Sequence, residues 1–470
     1  MFRFLPLLTA CLFLSCPIYL HADERPNVLF IISDDQRPDS IHALGNQVIQ
    51  TPNLDRLVHE GSTFTRAICT NPICVQSRAE LLTGCSGFRT GTMVSYRQTL
   101  ADRFKPWASV FADAGYRTCY VGKWHTRGRP SEFGYVESRG LYSGGGGKYW
   151  KGGKDYHGRE VTGYRGWVFQ TDDKKLMPQK GVGLTPTISE DFADAAITLI
   201  NENPKEPFFL HVNFTAPHDP LLMPPGYEER YNPADIPLPK NFKPRHPFDH
   251  GNFDGRDEVL LPWPRTSKLV QEDLAVYYAV ITHMDEQIGR ILKALDESGE
   301  ADNTIVIFTS DHGLAMGSHG LRGKQNMYEH TINIPMIMRG PTIPKGKQFN
   351  AQMYLRDIYP TTCDLADLPI PDNLDARSVA PILHGDVSSV HDQVFGYFRD
   401  KQRMVRTDRF KLIHYPHLDR DQLFDLESDP SELTDLSNSP DHTSPRATLT
   451  KMLNTWRASV NDPTLSPPSN

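Results

Sequence analysis

The stretch Asn-Val-Leu-Phe-Ile-Ile-Ser-Asp-Asp, residues 27–35, decides the fold of this chain. It starts with a continuous apolar run, which is the pattern of a strand buried on both faces of a parallel sheet. The run ends in Asp34 and Asp35. Two adjacent carboxylates at the carboxyl edge of such a strand repel each other unless a cation lies between them, and ligand sites of open α/β sheets lie at this edge. The stretch therefore predicts an α/β fold and a candidate cation site, with a solvated acidic turn as the alternative.

A second apolar stretch of the same kind occupies residues 304–309 and runs into Asp311 and His312. Because the ends of neighbouring strands meet in a parallel sheet, we expect Asp34, Asp35 and Asp311 to gather at one point. Three carboxylates in one place require a hard cation, and oxygen ligands favour Ca²⁺ or Mg²⁺. His312 is an atypical ligand for such an ion and is the weakest member of the predicted set.

Cys74 lies where a turn meets a short predicted helix. Residues 77–82 have a helical pattern that Gly84 ends, so Cys74 lies at or just before the helix N-terminus. Unpaired N–H groups and the positive end of the helix dipole favour an anion there. Arg78, one turn on, can direct its guanidinium to the same place and fork onto a tetrahedral oxyanion. A thiol in this position is a reactive nucleophile or its precursor; the alternative is a small buried hydrophobe beside a surface arginine.

Two more predicted strands end in side chains that suit anion chemistry. The strand at residues 116–122 is followed by Lys123 and His125, which alternation directs to the same face. The strand at residues 208–214 is followed closely by His218. An ordinary polar rim at the end of a sheet is the alternative for each of them.

Composition limits the function classes. The chain has 470 residues, enough for one large α/β domain and a smaller one, and its hydrophobic share of 39% is that of a soluble globular protein. The net charge of −7 excludes nucleic-acid binding by bulk electrostatics. An anionic substrate must therefore meet a local cluster of cationic side chains.

The N-terminus predicts export. An apolar run over residues 4–20 follows Arg3 and ends before a polar segment, which indicates a signal peptide over residues 1–22 with cleavage after Ala22. The mature protein is then secreted or periplasmic. A membrane anchor is the alternative, but the run is short, and no other stretch is long and apolar enough to span a bilayer.

We predict a catalytic α/β domain over residues 23–357, with a large mixed, mostly parallel sheet flanked by helices. A C-terminal subdomain over residues 358–470 carries a small antiparallel sheet and a polar tail that we expect to be disordered after Asp429. Two irregular segments are predicted to decide the substrate. One is a glycine-rich loop at residues 143–153, for which a plain surface insertion is the alternative, and the other is a proline-rich lid at residues 215–265.

The cysteine spacing is not that of a zinc site, and an oxidising compartment would permit disulfides. The sequence does not determine which cysteines pair, if any do. Apart from Cys74 and the two in the predicted signal peptide, the cysteines are Cys69, Cys85, Cys119 and Cys363.

The stretch around Cys74 resembles a family signature. The type I sulfatases of the alkaline phosphatase superfamily carry Cys-x-Pro-Ser-Arg followed by Leu-Thr-Gly, and their cysteine is oxidised to Cα-formylglycine. This chain matches at Cys74, Ser77, Arg78 and residues 82–84, and it departs at Gln76, where the signature has Pro. Within this family, the chain resembles the iduronate-2-sulfatase-like and arylsulfatase-like bacterial forms. The departure at Gln76 bears on whether a maturation enzyme accepts the site.

Further motifs follow in the order of the family. They are Gly-Lys-Trp-His at residues 122–125, Pro-His-x-Pro at residues 217–220, Ser-Asp-His-Gly at residues 310–313, and His-Gly-x-x-x-Lys-x-x-x-Tyr-Glu at residues 319–329. Two C-terminal stretches, residues 406–411 and 423–430, are similar to the small subdomain of the family. The resemblance therefore covers nearly the whole mature chain. It indicates the family strongly and the substrate weakly.

The resemblance implies a sulfate ester hydrolase with an alkaline phosphatase-like fold. It implies one Ca²⁺ per chain, held by Asp34, Asp35, Asp311, His312 and the modified residue 74. A formylglycine-generating enzyme would convert Cys74, and one hydroxyl of the aldehyde hydrate would attack sulfur while the other later expels sulfate. The implied substrate is a sulfated carbohydrate or another sulfate ester.

The resemblance also implies roles for five residues around the sulfate group. Arg78 and His125 would steady the hydrate, and Lys123 and Lys324 would clamp the sulfate oxygens. His218 would protonate the leaving alcohol or help to bind it, which suits the pKa of a histidine.

Two alternatives stay open. One is a phosphoester or phosphonate hydrolase of the same superfamily, although its phosphatases use two metals with extra ligands and the sequence offers one site. The other is a catalytically silent relative that binds sulfated glycans, which applies if Cys74 is not converted.

Overall fold

The computed structural model describes residues 25–93, 98–202 and 206–465. The predicted signal peptide lies outside the described residues. Within them the strands form two sheets. The strands of the large sheet are β1 (Asn27–Ser33), β2 (Ser62–Ile68), β3 (Arg117–Lys123), β4 (Glu137–Ser143), β5 (Val168–Phe169), β6 (Phe208–Asn213), β7 (Thr304–Ser310), β8 (Met336–Arg339) and β9 (Lys347–Tyr354). Those of the small sheet are β10 (Val394–Phe398), β11 (Gln402–Arg406), β12 (Phe410–Tyr415) and β13 (Arg420–Asp425).

The large sheet is mixed and mostly parallel, which confirms the predicted fold class. Its strand order is β5-β4-β3-β6-β1-β7-β8-β2-β9. The four strands β3, β6, β1 and β7 run parallel to one another in the middle of the sheet. Within this sheet, the described strands have antiparallel neighbours only where β5 pairs with β4 and where β8 pairs with β7 and β2.

Strand β1 shows why the apolar run predicts the fold. All of its residues are buried, and they alternate between two apolar clusters. Val28, Phe30 and Ile32 belong to one cluster, and Leu29 and Ile31 belong to the other. A strand with both faces covered needs apolar side chains at every position, and this is the pattern that the sequence carries.

Ten α-helices are present among the described residues; most of them flank the large sheet, and α10 packs on the small one. They are α1 (Pro52–Glu60), α2 (Cys74–Thr83), α3 (Gly87–Thr90), α4 (Trp107–Asp113), α5 (Ile188–Asn201), α6 (Ser267–Ser298), α7 (Glu329–Ile332), α8 (Ile358–Leu365), α9 (Ala380–His384) and α10 (Thr443–Ser459). The longest, α6, buries one apolar face against the sheet, as its helical spacing predicts. Among the described residues, no helix is both long and apolar enough to cross a membrane.

The predicted small antiparallel sheet is present, but the prediction of a disordered tail is wrong. Residues 443–459 form α10, whose Leu449 and Leu453 pack against Val405, Leu412 and Leu423 of the small sheet. The segment is polar overall, so its composition resembles that of a disordered tail. Two leucines spaced by four residues are enough to attach one face of the helix to the sheet.

The cysteines are not paired in the structure. All five within the described residues are buried and free: Cys69, Cys74, Cys85, Cys119 and Cys363. Buried apolar surface therefore holds the described fold together without disulfides.

Candidate active site

Four adjacent parallel strands end at one edge of the large sheet, and their ends carry the candidate site. Lys123 closes β3, Asn213 closes β6, Asp34 and Asp35 follow β1, and Asp311 follows β7. Because β3, β6, β1 and β7 are consecutive in the strand order, these residues meet although they are far apart in the chain. The sheet thus brings together Asp34, Asp35, Asp311 and Lys123, which the sequence predicts at the ends of separate strands, and it adds Asn213 to them.

Asp34, Asp35 and Asp311 form a buried carboxylate cluster. Ligand atoms of the three side chains lie within 4.8 Å of one another, and all three residues are fully buried. The backbone of Asp35 has a φ of 71°, and its N–H donates to Oδ1 of Asp311 at 3.2 Å. A non-glycine residue in this region is strained, and such strain persists where the surrounding structure holds it.

The cluster fits a hard divalent cation. Burial raises the pKa of Asp35, and burial together with the charge of Asp34 raises the pKa of Asp311 to about 7. Oδ1 of Asp34 accepts no hydrogen bond from the described residues. Three buried carboxylates resist being ionised at the same time, and one of their oxygens lacks a hydrogen bond. Ca²⁺ or Mg²⁺ stabilises such a set of oxygen donors.

His312 lies on the thiol side of this cluster. Its Nε2 is 3.4 Å from Sγ of Cys74, and its Nδ1 is 3.4 Å from Oδ1 of Asp35. It belongs with Asp35 and Cys74 in a second group of potential ligands and not with the three carboxylates. The three carboxylates therefore form the better site for a hard cation, and the role of His312 as a ligand stays a prediction.

Cys74 is the first residue of α2, which confirms the predicted position at a helix N-terminus. The residue is buried, and Nζ of Lys324 lies 3.3 Å from its Sγ. Burial opposes ionisation of the thiol, but the charges of Lys123, Lys324 and His312 outweigh it. The pKa of Cys74 is therefore well below its usual value. Position 74 is suited to a nucleophile with negative charge.

Each of two lysines contacts one carboxylate of the cluster. Nζ of Lys123 donates to Oδ2 of Asp34 at 2.5 Å, and Nζ of Lys324 donates to the oxygens of Asp35 at 2.8 and 2.9 Å. Gly122 permits the close approach of β3 and β6, because it has a φ of 92° and a Cβ there would lie 1.9 Å from the backbone oxygen of Asn213. Both lysines also line the cavity described below, so they can face an anion.

Arg78 has partners that differ from the expected ones. Its Nε donates to Oδ2 of Asp311 at 3.1 Å, its Nη2 lies 3.6 Å from Oδ1 of Asp34, and its Nη1 donates to the Oδ1 of Asn213. The residue does not line the cavity. We expected its guanidinium to fork onto an oxyanion. Instead it bridges the ends of β1, β6 and β7 because the buried carboxylates attract it first.

A chain of charges fixes His218 at the cavity. Its Nδ1 donates to the carbonyl oxygen of Asp219 at 2.6 Å and lies 3.2 Å from the carboxylate of that residue. Arg256 from the predicted lid in turn donates to Asp219 at 2.6 and 3.0 Å. Although burial opposes it, the charge of Asp35 raises the pKa of His218 to about 9. The imidazole is thereby held with its Nε2 toward the cluster, 3.8 Å from Asp35.

Tyr164 joins the carboxylate cluster to the cavity wall. Its hydroxyl donates to Oδ2 of Asp34, and its backbone has a φ of 57°. The ring packs edge-on against Trp167, which packs edge-on against His125. A buried aromatic residue with a positive φ is a backbone outlier of the kind that concentrates at active sites.

Sequence reasoning did not identify four residues of the site: Asn213, Tyr164, Asp219 and Arg256. Asn213 could have been found from the sequence, because it is the last residue of a buried strand. Asp34 and Asp311 directly follow such strands, so all three lie at the same edge of the sheet. Asp219 follows His218 directly inside a recognised motif. Tyr164 and Arg256 lie in irregular loops, where no periodicity directs a side chain to a site.

A cavity of about 720 Å³ opens above Cys74, with Lys123, His125, His218 and Lys324 on its floor. Three segments form its walls: residues 162–167, residues 249–257, and two turns of the small sheet that carry Arg399, Lys401 and His417. Residues 249–257 belong to the predicted lid. The glycine-rich loop at residues 143–153 contributes nothing to the lining, so the alternative of a surface insertion applies to it.

Two family models match the chain. The model described as Sulfatase matches residues 26–368, and the model described as N-sulphoglucosamine sulphohydrolase, C-terminal, matches residues 317–459. Among related proteins, an arylsulfatase of Clostridium perfringens is 32% identical over 456 residues. The alignment covers 89% of this chain and 91% of that protein.

Solved structures of other proteins share the fold. A protein solved in complex with its substrate D-glucosamine-2-N,6-O-disulfate has a TM-score of 0.74 at 24% identity, covering 94% of this chain and 100% of the other. The phosphonate monoester hydrolase of Agrobacterium radiobacter has a TM-score of 0.73 at 24% identity, covering 94% and 97%. At these identities the two structures establish the fold alone.

Proposed function

The chain belongs to the sulfatase family and is a sulfuric ester hydrolase, and from this premise we propose that it removes sulfate from a sulfated carbohydrate. We propose further that the nucleophile is a Cα-formylglycine made from Cys74 and that one Ca²⁺ lies beside it. A maturation enzyme that modifies Cys74 and secretion to the periplasm or the medium belong to the same proposal.

The position of residue 74 carries this proposal. Cys74 lies between the buried carboxylate cluster and the cavity, 4.0 Å from Oδ1 of Asp35 and 3.3 Å from Nζ of Lys324. A nucleophile here can meet a cation on one side and a substrate anion on the other. Hydrolysis of a sulfate monoester needs this combination, because charge develops on the oxygens in the transition state.

Asp34, Asp35 and Asp311 would hold the calcium ion, with His312 beside them. When bound, the ion supplies a positive charge that polarises the sulfate and lowers the pKa of an oxygen nucleophile. Oxidation of Cys74 supplies that oxygen, since a thiol offers none. The donor set consists of oxygens at strand ends, which suits Ca²⁺ better than a softer metal.

The side chains of the cavity floor bind the sulfate, supply a proton and position residue 74. Lys123 and Lys324 bind the sulfate oxygens and stabilise the negative charge that grows on them. His218 donates a proton to the leaving oxygen, and Asp219 orients its ring. His125 hydrogen-bonds to the side chain of residue 74 and limits its rotation. Arg78 acts from below, where it holds the carboxylates of Asp34 and Asp311 in place.

The cavity walls favour a sugar as the substrate. Trp167 and Phe253 offer aromatic surface, while Asn252 and Asp254 offer polar groups to hydroxyls. A cavity of this size and mixed lining is typical of a site for a small, polar ligand. A sequence relative named N-acetylglucosamine-6-O-sulfatase and a solved structure of the same fold with a sulfated glucosamine as its substrate support the same choice.

Peptide mass spectrometry of residue 74 tests the nucleophile. Protein isolated from its native host is digested, and the peptide that contains residue 74 is compared with the same peptide from a Cys74→Ala variant. We expect a mass that corresponds to the aldehyde or its hydrate. Hydrolysis of an aryl sulfate and of a glucosamine 6-sulfate is then measured per mole of aldehyde, beside an aryl phosphonate monoester.

The outcomes separate the alternatives. Aldehyde with preferred hydrolysis of sulfate esters supports the proposal. If the aldehyde is present and the phosphonate monoester is hydrolysed faster than the sulfate esters, the protein is a phosphonate hydrolase of the same fold. An unmodified thiol throughout the native protein overturns catalysis and leaves a protein that binds sulfated glycans.

A further inference from the structure

The turn between β10 and β11 brings two cations to the mouth of the cavity. Phe398 pairs with Gln402 across the hairpin, so the turn consists of Arg399, Asp400 and Lys401. Arg399 and Lys401 both line the cavity. The turn belongs to the small sheet, outside the sheet edge that holds the carboxylates and Cys74.

Turn geometry alone does not explain an arginine at this place. Arg399 has a φ of 45°, a conformation that glycine or asparagine adopts at lower cost in a hairpin. Its side chain is exposed, and it forms no ion pair with any residue that the structure describes. Backbone strain at a long charged side chain that faces a cavity indicates a role for that side chain.

Lys401 has more freedom to meet a ligand than the cations of the floor. Its Nζ lies 3.4 Å from Asp400, which is 63% exposed, and water screens such a contact. By contrast, Lys123 and Lys324 each contact a fully buried carboxylate. The two cations of the turn are therefore available to an anion that enters from solvent.

The turn is held rigidly relative to the reacting centre. The side-chain amide of Gln402 donates to the carbonyl oxygen of His250 at 2.8 Å and to that of Gln325 at 3.0 Å. Gln325 directly follows Lys324, whose Nζ contacts the sulfur of Cys74. Gly251 in the lid packs on Lys401 so closely that a Cβ on it would lie 2.6 Å from that side chain.

The two cations of the turn therefore lie at a fixed position above the floor of the cavity, where they can bind a part of the substrate other than the cleaved group. We propose that Arg399 and Lys401 form a subsite for a second anionic group of the substrate, one that is not cleaved. The substrate is then a carbohydrate that carries a carboxylate or a second sulfate in addition to the sulfate ester that is hydrolysed. The identity of the cleaved group rests on the proposed function, whereas binding of the second anion does not.

Neighbouring carboxylates do not cancel this subsite. Oδ1 of Asp249 accepts a hydrogen bond from the N–H of Gly251 at 2.8 Å, so it is engaged in its own loop. Asp257 is buried and pairs with Arg256. Asp254 is exposed at the same mouth and can accept hydrogen bonds from sugar hydroxyls.

The test compares sugars with one and two anionic groups. Titration calorimetry in a Cys74→Ala background, which prevents turnover, measures binding of glucosamine 6-sulfate, of glucosamine-2-N,6-O-disulfate, and of a glucuronate-linked 6-sulfated disaccharide. The double variant Arg399→Gln/Lys401→Gln is compared with Lys268→Gln/Lys293→Gln. The latter makes the same change in charge at exposed lysines of α6 that do not line the cavity.

We expect the parent, the Cys74→Ala protein, to bind at least one of the two dianionic sugars more tightly than glucosamine 6-sulfate. The turn variant, Arg399→Gln/Lys401→Gln in the same background, should reduce this ratio of affinities by about fivefold. The second sulfate and the carboxylate are tested on separate sugars, so the sugar that binds more tightly identifies the anionic group that the subsite accepts. Raising the ionic strength should erase the same preference in the parent, because the contact is screened by salt.

An unchanged preference in the turn variant overturns the subsite, as does an equal loss of affinity for all three sugars, which would indicate a structural role. No preference in the parent also overturns it. Failure of the proposed function is recognised separately, because it is an absence of sulfate release by the unmutated enzyme while these binding ratios stay measurable.

Discussion

The floor and the mouth of the cavity are built in opposite ways. The floor is taken together with the carboxylates beneath it: Asp34, Asp35 and Asp311 are fully buried, and Lys123, Lys324 and Arg78 lie against them. At the mouth, Arg399 and Lys401 extend from a hairpin turn, one exposed and the other half-buried. Most of the floor lies at or just after the ends of consecutive strands of one sheet, with Cys74 from α2 and Lys324 from the loop after β7. The mouth comes from three irregular segments that are distant in the chain.

This difference separates chemistry from substrate choice. A buried charge that loses its partner is strongly destabilising, so the side chains of the floor constrain one another. Exposed charges contribute little to stability, so the side chains of the mouth can change at small cost to the fold. We therefore expect floor variants to lose the catalytic step and mouth variants to change which substrate is preferred. The following predictions test this division, beginning with the largest effect.

Asp311→Asn should break the floor most severely. It removes one charge of the carboxylate cluster with little change of shape, and we expect activity to fall by about a thousandfold. Stabilisation by calcium, measured as the shift of Tm with added Ca²⁺, should be lost together with activity. Asp285→Asn is the control, because Asp285 is a buried carboxylate that bonds to the start of α1. Wild-type activity of Asp311→Asn after treatment with a chelator would show that the cluster is not the metal site.

Lys123→Ala and Lys324→Ala should each lower kcat by about a hundredfold, as loss of one oxyanion donor does. The contact strengthens in the transition state, so KM should change less than kcat. Steady-state kinetics with an aryl sulfate measures both constants, with Lys268→Ala at the protein surface as the control. If both variants keep the kcat of the wild type, the lysines do not bind the sulfate, and floor residues are then no more important for catalysis than mouth residues.

Tyr164→Phe tests the point where floor and mouth join. It removes the hydroxyl that donates to Asp34, and loss of a hydrogen bond to a charged group should raise the calcium concentration for half-maximal activity by about tenfold. Tyr142→Phe is a matched control, because the ring of Tyr142 lies 6.1 Å from that of Tyr164 and its hydroxyl has no partner among the described residues. Equal behaviour of the two variants would assign Tyr164 to packing alone.

Gln76→Pro should have the smallest effect on the folded enzyme. Gln76 lies in the first turn of α2, where the first backbone bond to Ile73 comes from Ser77, so proline removes no helical hydrogen bond. We expect the formylglycine fraction to rise when the maturation enzyme is adapted to Cys-x-Pro-x-Arg, while the rate per mole of aldehyde stays within about twofold. Peptide mass spectrometry beside kinetics measures both. A lower rate per aldehyde would mean that the buried Gln76 side chain supports the floor.

The sequence alone determined the large sheet and most of its floor. A strand covered on both faces requires an apolar residue at every position, so β1 and β7 were visible as runs, and the acidic residues that follow them marked the sheet edge. Gly84 marked the end of α2 and placed Cys74 at its start. These features depend on near neighbours in the chain, and local pattern is what a sequence displays.

Tertiary structure alone decided the partners of those residues and the shape of the mouth. Arg78 turned toward Asp311 and Asp34 because buried carboxylates attract a cation more strongly than an open cavity does. Tyr164, Arg256 and the turn at Arg399 lie in irregular segments, whose side chains have no periodicity from which a direction can be inferred. The glycine-rich loop stayed away from the cavity, and α10 formed on the small sheet, because both depend on surfaces that distant parts of the chain create.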